Sequence, residues 1–288
     1  MRWSICTSPS RMRSFFAALS ALSIVSLALP LAAEPKLKES FVPPLKAIPD
    51  LTQTDPKGKF ADGGKNFCGP VAVSNSLMAL FRDDLKWNDV SHYDLVNQLA
   101  SQSRMNTDLT KGTGVRQLIH GVELFLDERG EKGYFLKFQG WRRHDNLHRT
   151  GVTEPQLTWI KHIVANKRGA VWLNVGWYRE TSPDEPLVRI SGHWVTAVGY
   201  GMDSSGKLDP DYLLIHDPSP RASTAGPEYV MMTKIKSGVL TGAVRNLPRP
   251  ARNLYQMEDG MRLKKGAQFA ILDGAVGLIL KPKAPAKP

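Results

Sequence analysis

Apolar residues recur at helical spacing through the first half of the chain. One apolar helical face follows Pro70 and consists of Val71, Val73, Leu77, Met78, Leu80 and Phe81. Proline suits the first turn of a helix because its missing N–H would have no partner there. The same spacing predicts further helices near 91–101, at 114–128 and at roughly 153–167.

The pattern changes after Gly169 to short runs of β-branched and aromatic residues. Such runs, bounded by turn residues, are typical of strands. They cover residues 170–177, 193–200, 212–215, 229–233 and 268–280. Helices in the first half and strands in the second predict an α+β domain, in which a helical part packs on an antiparallel sheet.

The first 33 residues have the order of a secretory signal peptide. Three arginines precede an apolar run at 15–31, and two alanines stand before Glu34. The alternative is a membrane anchor, but the run contains three serines and a proline and is short for a span of about 20 residues. We expect cleavage after residue 33, export to the periplasm or out of the cell, and no stable membrane insertion afterwards.

The rest of the chain divides into three parts. Residues 34–59 are rich in proline and lysine, which predicts an extended lead-in. Residues 60–280 contain the predicted helices and strands and form the expected domain. The last part, 281–288, has no large apolar residue to bury and is predicted to be a disordered tail.

The charge of the chain is strongly positive, at a formal +11. Such a charge can favour anionic polymers or membrane surfaces. The basic residues are dense only at 142–143, 245–252 and 264–265, and aromatic residues do not alternate with them as single-stranded nucleic acid binding requires. We therefore expect no nucleic-acid partner. The sequence gives no indication of the oligomeric state.

Cys68 is the single cysteine beyond the predicted signal peptide, and it stands directly before the predicted first helix. Exported proteins normally pair their cysteines, so a lone cysteine suggests an intermolecular bridge or a reactive thiol. The simpler interpretation is a small buried apolar side chain. Because the unpaired amide groups at a helix N-terminus favour a thiolate, Cys68 is a candidate nucleophile.

A thiol nucleophile needs a base, and His193 is the best candidate. It follows Gly192 and opens the predicted strand 193–200, while the next strand ends at Asp217. A hairpin centred on residue 205 would place His193 beside Asp217. The carboxylate would then fix the imidazole tautomer and leave the other ring nitrogen to face the thiol. Taken singly, the histidine could be a strand-edge residue and the aspartate a turn former.

These contexts together resemble the papain-like cysteine peptidases, and most of all their bacterial peptidase C39-like branch. The resemblance covers roughly residues 60–220 and rests on three motifs, which are Asn66-Phe-Cys68-Gly-Pro70, Ser191-Gly-His193-Trp-Val195 and His216-Asp217-Pro218. It implies a papain-like fold, with Cys68 as nucleophile, His193 as general base and acid, and Asp217 as the orienting group. It also implies a peptide or protein substrate that is cleaved at a peptide or isopeptide bond.

The chain departs from this family at the oxyanion hole. The family commonly places a donating glutamine about six residues before the cysteine, where this chain has Asp62. An ionised carboxylate cannot donate, and losing one such donor typically costs about 100- to 1,000-fold in rate. Asn66 is close enough to replace it, with the backbone N–H of Cys68 as the second donor, whereas Gln53 lies farther back.

Three functions remain open from the sequence. The chain is a cysteine peptidase or amide hydrolase, a catalytically silent relative that binds peptides, or an acyl transferase that uses the same three residues. Gly192 and Trp194, which flank His193, are expected to line the substrate cleft. His144 and His148 have the spacing of a zinc pair, but their segment lacks the glutamate of a metalloprotease helix and has arginines on both sides. We expect no metal and no cofactor.

Overall fold

Helices and a large mixed sheet make up the regular part of the computed structural model, which describes residues 37–44, 47–82, 85, 89–182, 185–220, 226–242 and 247–281. These residues belong to a unit that begins at Leu37. The predicted signal peptide lies outside the described residues, as do residues 282–288 of the predicted tail. Within the described part of the chain, no helix has both the length and the apolar composition needed to cross a membrane.

The helices agree with the periodicity of the sequence. They are α1 (Cys68–Leu80), α2 (Asp89–Ala100), α3 (Val115–Glu128) and α4 (Leu157–Val164). Short 3-10 helices lie at Pro56–Gly58, Ala61–Gly64 and Asn146–His148. The first helix begins at Cys68 itself, and the Val71 N–H donates to the Phe67 carbonyl oxygen (3.0 Å). The N–H groups of Cys68 and Gly69 therefore have no partner within the helix.

The strands include every predicted run and four that were not predicted. They are β1 (Phe135–Gly140), β2 (Gly169–Arg179), β3 (Leu187–Met202), β4 (Leu208–His216), β5 (Glu228–Lys234), β6 (Val239–Thr241), β7 (Arg249–Pro250), β8 (Tyr255–Asp259) and β9 (Phe269–Ile279). The four strands that were not predicted are β1, β6, β7 and β8. Three of these have five residues or fewer, which is too short for a clear alternation of apolar and polar residues.

Six strands close into a ring. Each is antiparallel to both of its neighbours, in the order β2, β3, β4, β5, β8, β9 and back to β2. Outside the ring, β1 pairs with β9, and β6 runs parallel to β3 at Leu187 and Val188. The α+β prediction is thus confirmed. The expectation of a purely antiparallel sheet is wrong at β6, because the start of β3 extends beyond β4 and offers a free edge there.

Apolar side chains from all six ring strands form one cluster, which therefore fills the interior of the ring. The six strands contribute, in ring order, Val175, Val195, Leu213, Val230, Met257 and Leu272. Helix α4 adds Ile160 and Ile163 to the same cluster. The helices α1 and α3 instead pack on the other face of β2, β3 and β9, against Trp172, Trp194 and Val276.

Two buried hydrogen bonds hold α1 on the sheet. The Thr196 hydroxyl donates to the Ala72 carbonyl oxygen (2.7 Å), and the indole N–H of Trp172 donates to the Ser76 hydroxyl (3.2 Å). A buried donor left without a partner is costly, so these bonds favour a single position of the helix. The N-terminus of α1, with Cys68, is thereby fixed relative to β3.

The proline-rich segment before α1 runs along the domain surface. Its described residues contain the 3-10 helix Pro56–Gly58, and a backbone bridge pairs Phe41 with Tyr200 of β3. The Leu51 N–H donates to the Asn75 side chain (3.1 Å), and the Gln53 N–H donates to the Pro218 carbonyl oxygen (2.7 Å). The segment therefore connects α1 with the chain that follows β4.

Candidate active site

The candidate site lies where one edge of β3 has no neighbouring strand. On this side, β6 covers Leu187 and Val188, and β4 begins to pair at Thr196. Among the described residues, no strand pairs with the intervening residues 189–195 on that side. The sheet therefore leaves this stretch, which includes His193, open to the N-terminus of α1.

His193 and Asp217 form a buried hydrogen bond. His193 Nε2 lies 2.7 Å from Asp217 Oδ1, and the two side chains are 9% and 1% exposed. The hairpin predicted around residue 205 is present, but at its open end Thr196 pairs with His216, so Asp217 follows opposite Val195 rather than His193. The register differs from the predicted one by two residues. An even shift keeps both side chains on the same face of the sheet, and so they still meet.

The carboxylate of Asp217 is held by the residue that follows Pro218. Asp217 Oδ1 also accepts from the Ser219 N–H (2.8 Å) and from the Ser219 hydroxyl. Burial alone would raise the pKa of Asp217, but the positive charge of His193 and these hydrogen bonds lower it below its usual range. An ionised Asp217 acts as an acceptor, so His193 carries its proton on Nε2 and presents Nδ1 to the other side.

Cys68 and His193 line the same cavity, and Cys68 contributes to the electrostatic environment of the imidazole. Burial alone would lower the pKa of His193, but the charge of Asp217, its hydrogen bond and the contact with Cys68 outweigh this effect and raise the pKa well above its usual value. One face of the imidazole stacks on Trp177, with ring centroids 5.7 Å apart. The ring is therefore held by Asp217 at one end and by Trp177 on one face.

Cys68 is a free thiol that is 8% exposed at the start of α1. Helix α1 approaches the loop before α3 so closely that a Cβ at Gly69 would lie 2.8 Å from Thr113 Cβ. The backbone carbonyl of Thr113 accepts in turn from the indole N–H of Trp194 (2.7 Å). Gly69 thus permits the contact that joins Cys68, the loop and β3.

A cavity of about 620 Å³ opens beside Cys68 and His193. The loop before α3 forms one wall, and the start of β3, with Gly192 and Trp194, forms another. This loop is held by Asp108, whose carboxylate accepts from the backbone N–H groups of Thr110 and Lys111 (2.7 and 2.9 Å). A cavity of this size holds a few residues of an extended peptide.

The two residues expected to flank the cleft contribute to it differently. Gly192 is exposed, and a Cβ there would lie 2.4 Å from Arg189 Nη2. Trp194 lines the cavity although it is only 2% exposed, and its indole N–H is occupied by Thr113. Gly192 therefore leaves space at the cavity wall, whereas Trp194 holds the opposite wall in position.

The oxyanion candidates from the sequence lie apart from one another. Asp62 sits in an exposed turn with a φ of 50°, and its carboxylate is 3.1 Å from Lys65 Nζ. It is not among the residues that line the cavity. Asn66 does line the cavity, but its Nδ2 donates to the Leu109 carbonyl oxygen. The backbone N–H of Cys68 has no partner within the helix.

Gln53 supports the chain just before Cys68. Its side chain is buried, and its Nε2 donates to the carbonyl oxygens of Gly64 (3.0 Å) and Lys65 (2.7 Å). These bonds occupy the amide and fix the turn that leads into α1. Gln53 is distant from Cys68 in the sequence, and the fold brings its side chain to this turn.

Two further amide side chains line the cavity, and the sequence analysis did not single them out. Gln117 lies on α3, and Asn174 lies on β2 opposite Trp194. Asn174 is 6% exposed, and its Oδ1 is buried without a hydrogen-bond partner among the described residues. No local motif marks Asn174, because only the pairing of β2 with β3 brings it to the cavity.

The histidine pair His144 and His148 is divided between separate contacts. His148 bonds to the Leu136 carbonyl oxygen (3.1 Å) and lies 3.3 Å from Glu123, while His144 bonds to the Arg142 carbonyl oxygen (2.7 Å). Within the described ranges, no group of three or more potential metal-ligating side chains is found.

Comparison with protein-family models finds no match for this chain. A comparison with curated proteins likewise finds no match.

The raised pKa of His193 predicts an unusual pH dependence for the alkylation of Cys68. His193 stays cationic well above its ordinary titration range, and a neighbouring imidazolium promotes the reaction of a thiol with an alkylating agent. The iodoacetamide rate of the unaltered protein should exceed that of His193→Ala by about 10-fold at pH 6. The ratio should fall towards one near pH 9.

Peptide mapping by mass spectrometry assigns the label to Cys68, with Cys68→Ser as the blank. The control is His120→Ala, because His120 is exposed on α3 and its loss should leave the rate unchanged at every pH. Equal rates for the unaltered protein and His193→Ala at pH 6 would show that the imidazole does not activate the thiol.

Proposed function

We propose that this chain is a papain-like cysteine hydrolase that cleaves peptide or isopeptide bonds. The observation that carries the proposal is the buried hydrogen bond between His193 and Asp217, in which His193 lines a cavity together with Cys68. Nucleophile, base and orienting group in that order are what acyl transfer requires. The predicted signal peptide supports export, and we propose that the protein acts outside the cytoplasm.

Acylation begins with the Cys68 thiolate and the His193 imidazolium. The thiolate sulfur attacks the substrate carbonyl carbon, and the carbonyl electron pair moves to oxygen. As the tetrahedral intermediate collapses, the carbon–nitrogen bond breaks and His193 gives its Nδ1 proton to the leaving amine. Asp217 keeps the Nε2–H of the imidazole in place throughout, so that Nδ1 points to the reacting atoms.

Hydrolysis of the acyl-enzyme uses the same groups in the opposite sense. Neutral His193 takes a proton from water, the resulting hydroxide attacks the thioester carbonyl, and the carbon–sulfur bond breaks to restore the thiolate and the imidazolium. If an amine replaces water at this step, the same three residues carry out acyl transfer. The acceptor that reaches the cavity decides between a hydrolase and a transferase.

The oxyanion requires hydrogen-bond donors, and the unpaired N–H at Cys68 is the first of them. We propose a cavity-lining side-chain amide as the second donor, which restricts the choice to Asn66, Gln117 and Asn174. Asp62 is not needed for this role, because its carboxylate lies in an exposed turn beside Lys65. The departure from the family at Asp62 is therefore compatible with catalysis.

Substitution of the three central residues should remove activity in graded steps. Cleavage of a peptide library, followed by mass spectrometry, should be lost in Cys68→Ala and reduced by about 100-fold or more in His193→Ala. Asp217→Asn should also reduce kcat by about 100-fold, since an amide in this place favours the wrong imidazole tautomer.

The matched control for Asp217→Asn is Asp94→Asn, because Asp94 is exposed on α2, and this variant should retain full activity. Cleavage that survives in Cys68→Ala would contradict the proposal. Binding of peptides without any cleavage by the unaltered protein would favour the catalytically silent relative instead.

The second oxyanion donor should be identifiable by single substitutions. Of Asn66→Ala, Gln117→Ala and Asn174→Ala, one should lower kcat by about 100- to 1,000-fold with little change in KM, because it stabilises the transition state alone. The other two should stay within a few-fold of the unaltered protein. Three variants with normal kcat would exclude a side-chain donor.

A further inference from the structure

Among the described residues, the charged side chains that line the cavity beside Cys68 are all cations, with no carboxylate. The charged side chains in its wall are Lys111, Arg116, Arg142, Arg143, Arg189 and Lys264. They come from the loop before α3, from α3 itself, from the segment after β1, from the start of β3 and from the connection between β8 and β9. The positive charge of the cavity therefore results from the fold rather than from one basic run.

Some of these cations are neutralised outside the cavity. Arg189 Nε lies 2.7 Å from the buried carboxylate of Asp273, and Arg116 Nε lies 2.9 Å from Asp145 at the surface. Lys264 has a different contact, since its Nζ donates to the Ser191 hydroxyl (3.0 Å). A neutral hydroxyl leaves the charge of Lys264 uncompensated beside the cavity.

Arg142 is half-buried and forms no ion pair within the described part of the chain. Its Nη1 is buried and has no hydrogen-bond partner among the described residues, and its guanidinium packs against the Trp141 ring at 5.1 Å. Asp273 is the nearby carboxylate, but Tyr178 and Arg189 already occupy its two oxygens (2.8 and 2.7 Å). Burial, followed by the charge of Arg189, lowers the pKa of Arg142.

A cation that is partly removed from water and lacks a counter-charge of its own is unfavourable for the fold. An anionic ligand would supply the missing counter-charge, because guanidinium groups bind carboxylates through two parallel hydrogen bonds. Arg142 and Arg189 share one internal carboxylate, so the cavity lacks one negative charge at this point. A ligand carboxylate would supply that charge.

On the basis of the proposed function, we propose that the substrate is an acidic peptide, with a carboxylate that binds at Arg142 while the scissile carbonyl lies at Cys68. The carboxylate has two possible sources, which are an aspartate or glutamate side chain and the free C-terminus of the peptide. Both sources offer the same planar, bidentate anion. Lys264 and Arg143 contribute long-range attraction from the cavity rim.

The first experiment compares electrophilic peptide probes that label Cys68. Three capped dipeptidyl vinyl sulfones differ in a single side chain, which is glutamate, glutamine or lysine, and intact-protein mass spectrometry follows the addition of the thiolate to the vinyl group. The glutamate probe should react about 10-fold faster than the glutamine probe, and the lysine probe should be the slowest. Added salt should slow the glutamate probe most.

A second set of probes distinguishes the two sources of the carboxylate. It consists of peptides with neutral side chains and either a free or an amidated C-terminus, and their cleavage is measured by mass spectrometry. A preference for the free C-terminus supports the proposal with the main-chain carboxylate as the ligand. Equal reaction of all probes in both sets overturns the proposal.

Binding to the inactive variant Cys68→Ser separates this inference from the proposed function. Capped tetraglutamate should bind at least 10-fold more tightly than capped tetraglutamine in a calorimetric titration. If no probe labels Cys68 but this preference is present, the proposed function fails and the anionic subsite stands. If the probes label Cys68 without any charge preference, the proposed function stands and the anionic subsite fails.

The variant Arg142→Met tests the residue itself. The glutamate probe should react about 10-fold more slowly than with the unaltered protein, whereas the rate of the glutamine probe should change by less than 2-fold. Tm should not fall, because methionine removes a half-buried charge. Arg129→Met is the matched control, since Arg129 is exposed at the end of α3 and should change neither rate. An equal loss with both probes, or a marked fall in Tm, would give Arg142 a structural role and overturn the assignment.

Lys264→Met provides a second test on an exposed side chain whose removal leaves the core unchanged. The glutamate probe should react about 3-fold more slowly, and the glutamine probe should be unaffected. A variant in which both rates stay the same would remove Lys264 from the proposed anionic subsite.

Discussion

The hydrogen bond between His193 and Asp217 is the contact on which the arrangement of the site depends. It joins the open stretch of β3 to the chain that leaves β4, and it sets which nitrogen of His193 faces Cys68. Because the bond is buried, removing either side chain would leave the other without its hydrogen-bond partner, which is costly in free energy. The ring of strands positions the two residues, and Ser219 and Trp177 limit their movement.

Helix α1 brings the thiol to this pair from the other side of the sheet. Its position follows from the bonds that Thr196 and Trp172 make to the helix and from the close contact of Gly69 with Thr113. Gln53 fixes the turn that precedes the helix. The elements that carry the three residues are thus held by separate buried contacts, which is what a preorganised site requires.

Local sequence was sufficient to predict the helices and the long strands, and it singled out Cys68, His193 and Asp217 as candidates. Cys68, His193 and Asp217 each stand at a boundary that short-range patterns reveal, and an error of two residues in the hairpin register did no harm because it was even. The oxyanion residues could not be predicted in this way. The positive φ of Asp62 decides where its side chain lies, and strand pairing brings Asn174 to the cavity, neither of which a linear motif records.

The cationic cavity illustrates the same limit. Arg142-Arg143 and Lys264-Lys265 are visible in the sequence as basic pairs, but their convergence with Arg189 beside Cys68 depends on long-range contacts. Arg142 stands out because Tyr178 and Arg189 already bind both oxygens of Asp273, the carboxylate near it. A half-buried charge without a counter-charge of its own lowers the stability of the fold, and such losses of stability often accompany binding sites.

The protonation state of His193 is the most direct test of the proposed arrangement of Cys68, His193 and Asp217. In ¹⁵N-labelled protein, the ring nitrogens of His193 can be assigned by comparison with His193→Gln and followed by NMR as the pH is raised. We expect both ring nitrogens of His193 to remain protonated at pH 8, where an ordinary histidine is neutral, because Asp217 and Cys68 raise the pKa of His193. A His193 that loses its proton near pH 6.5 or below would contradict this arrangement.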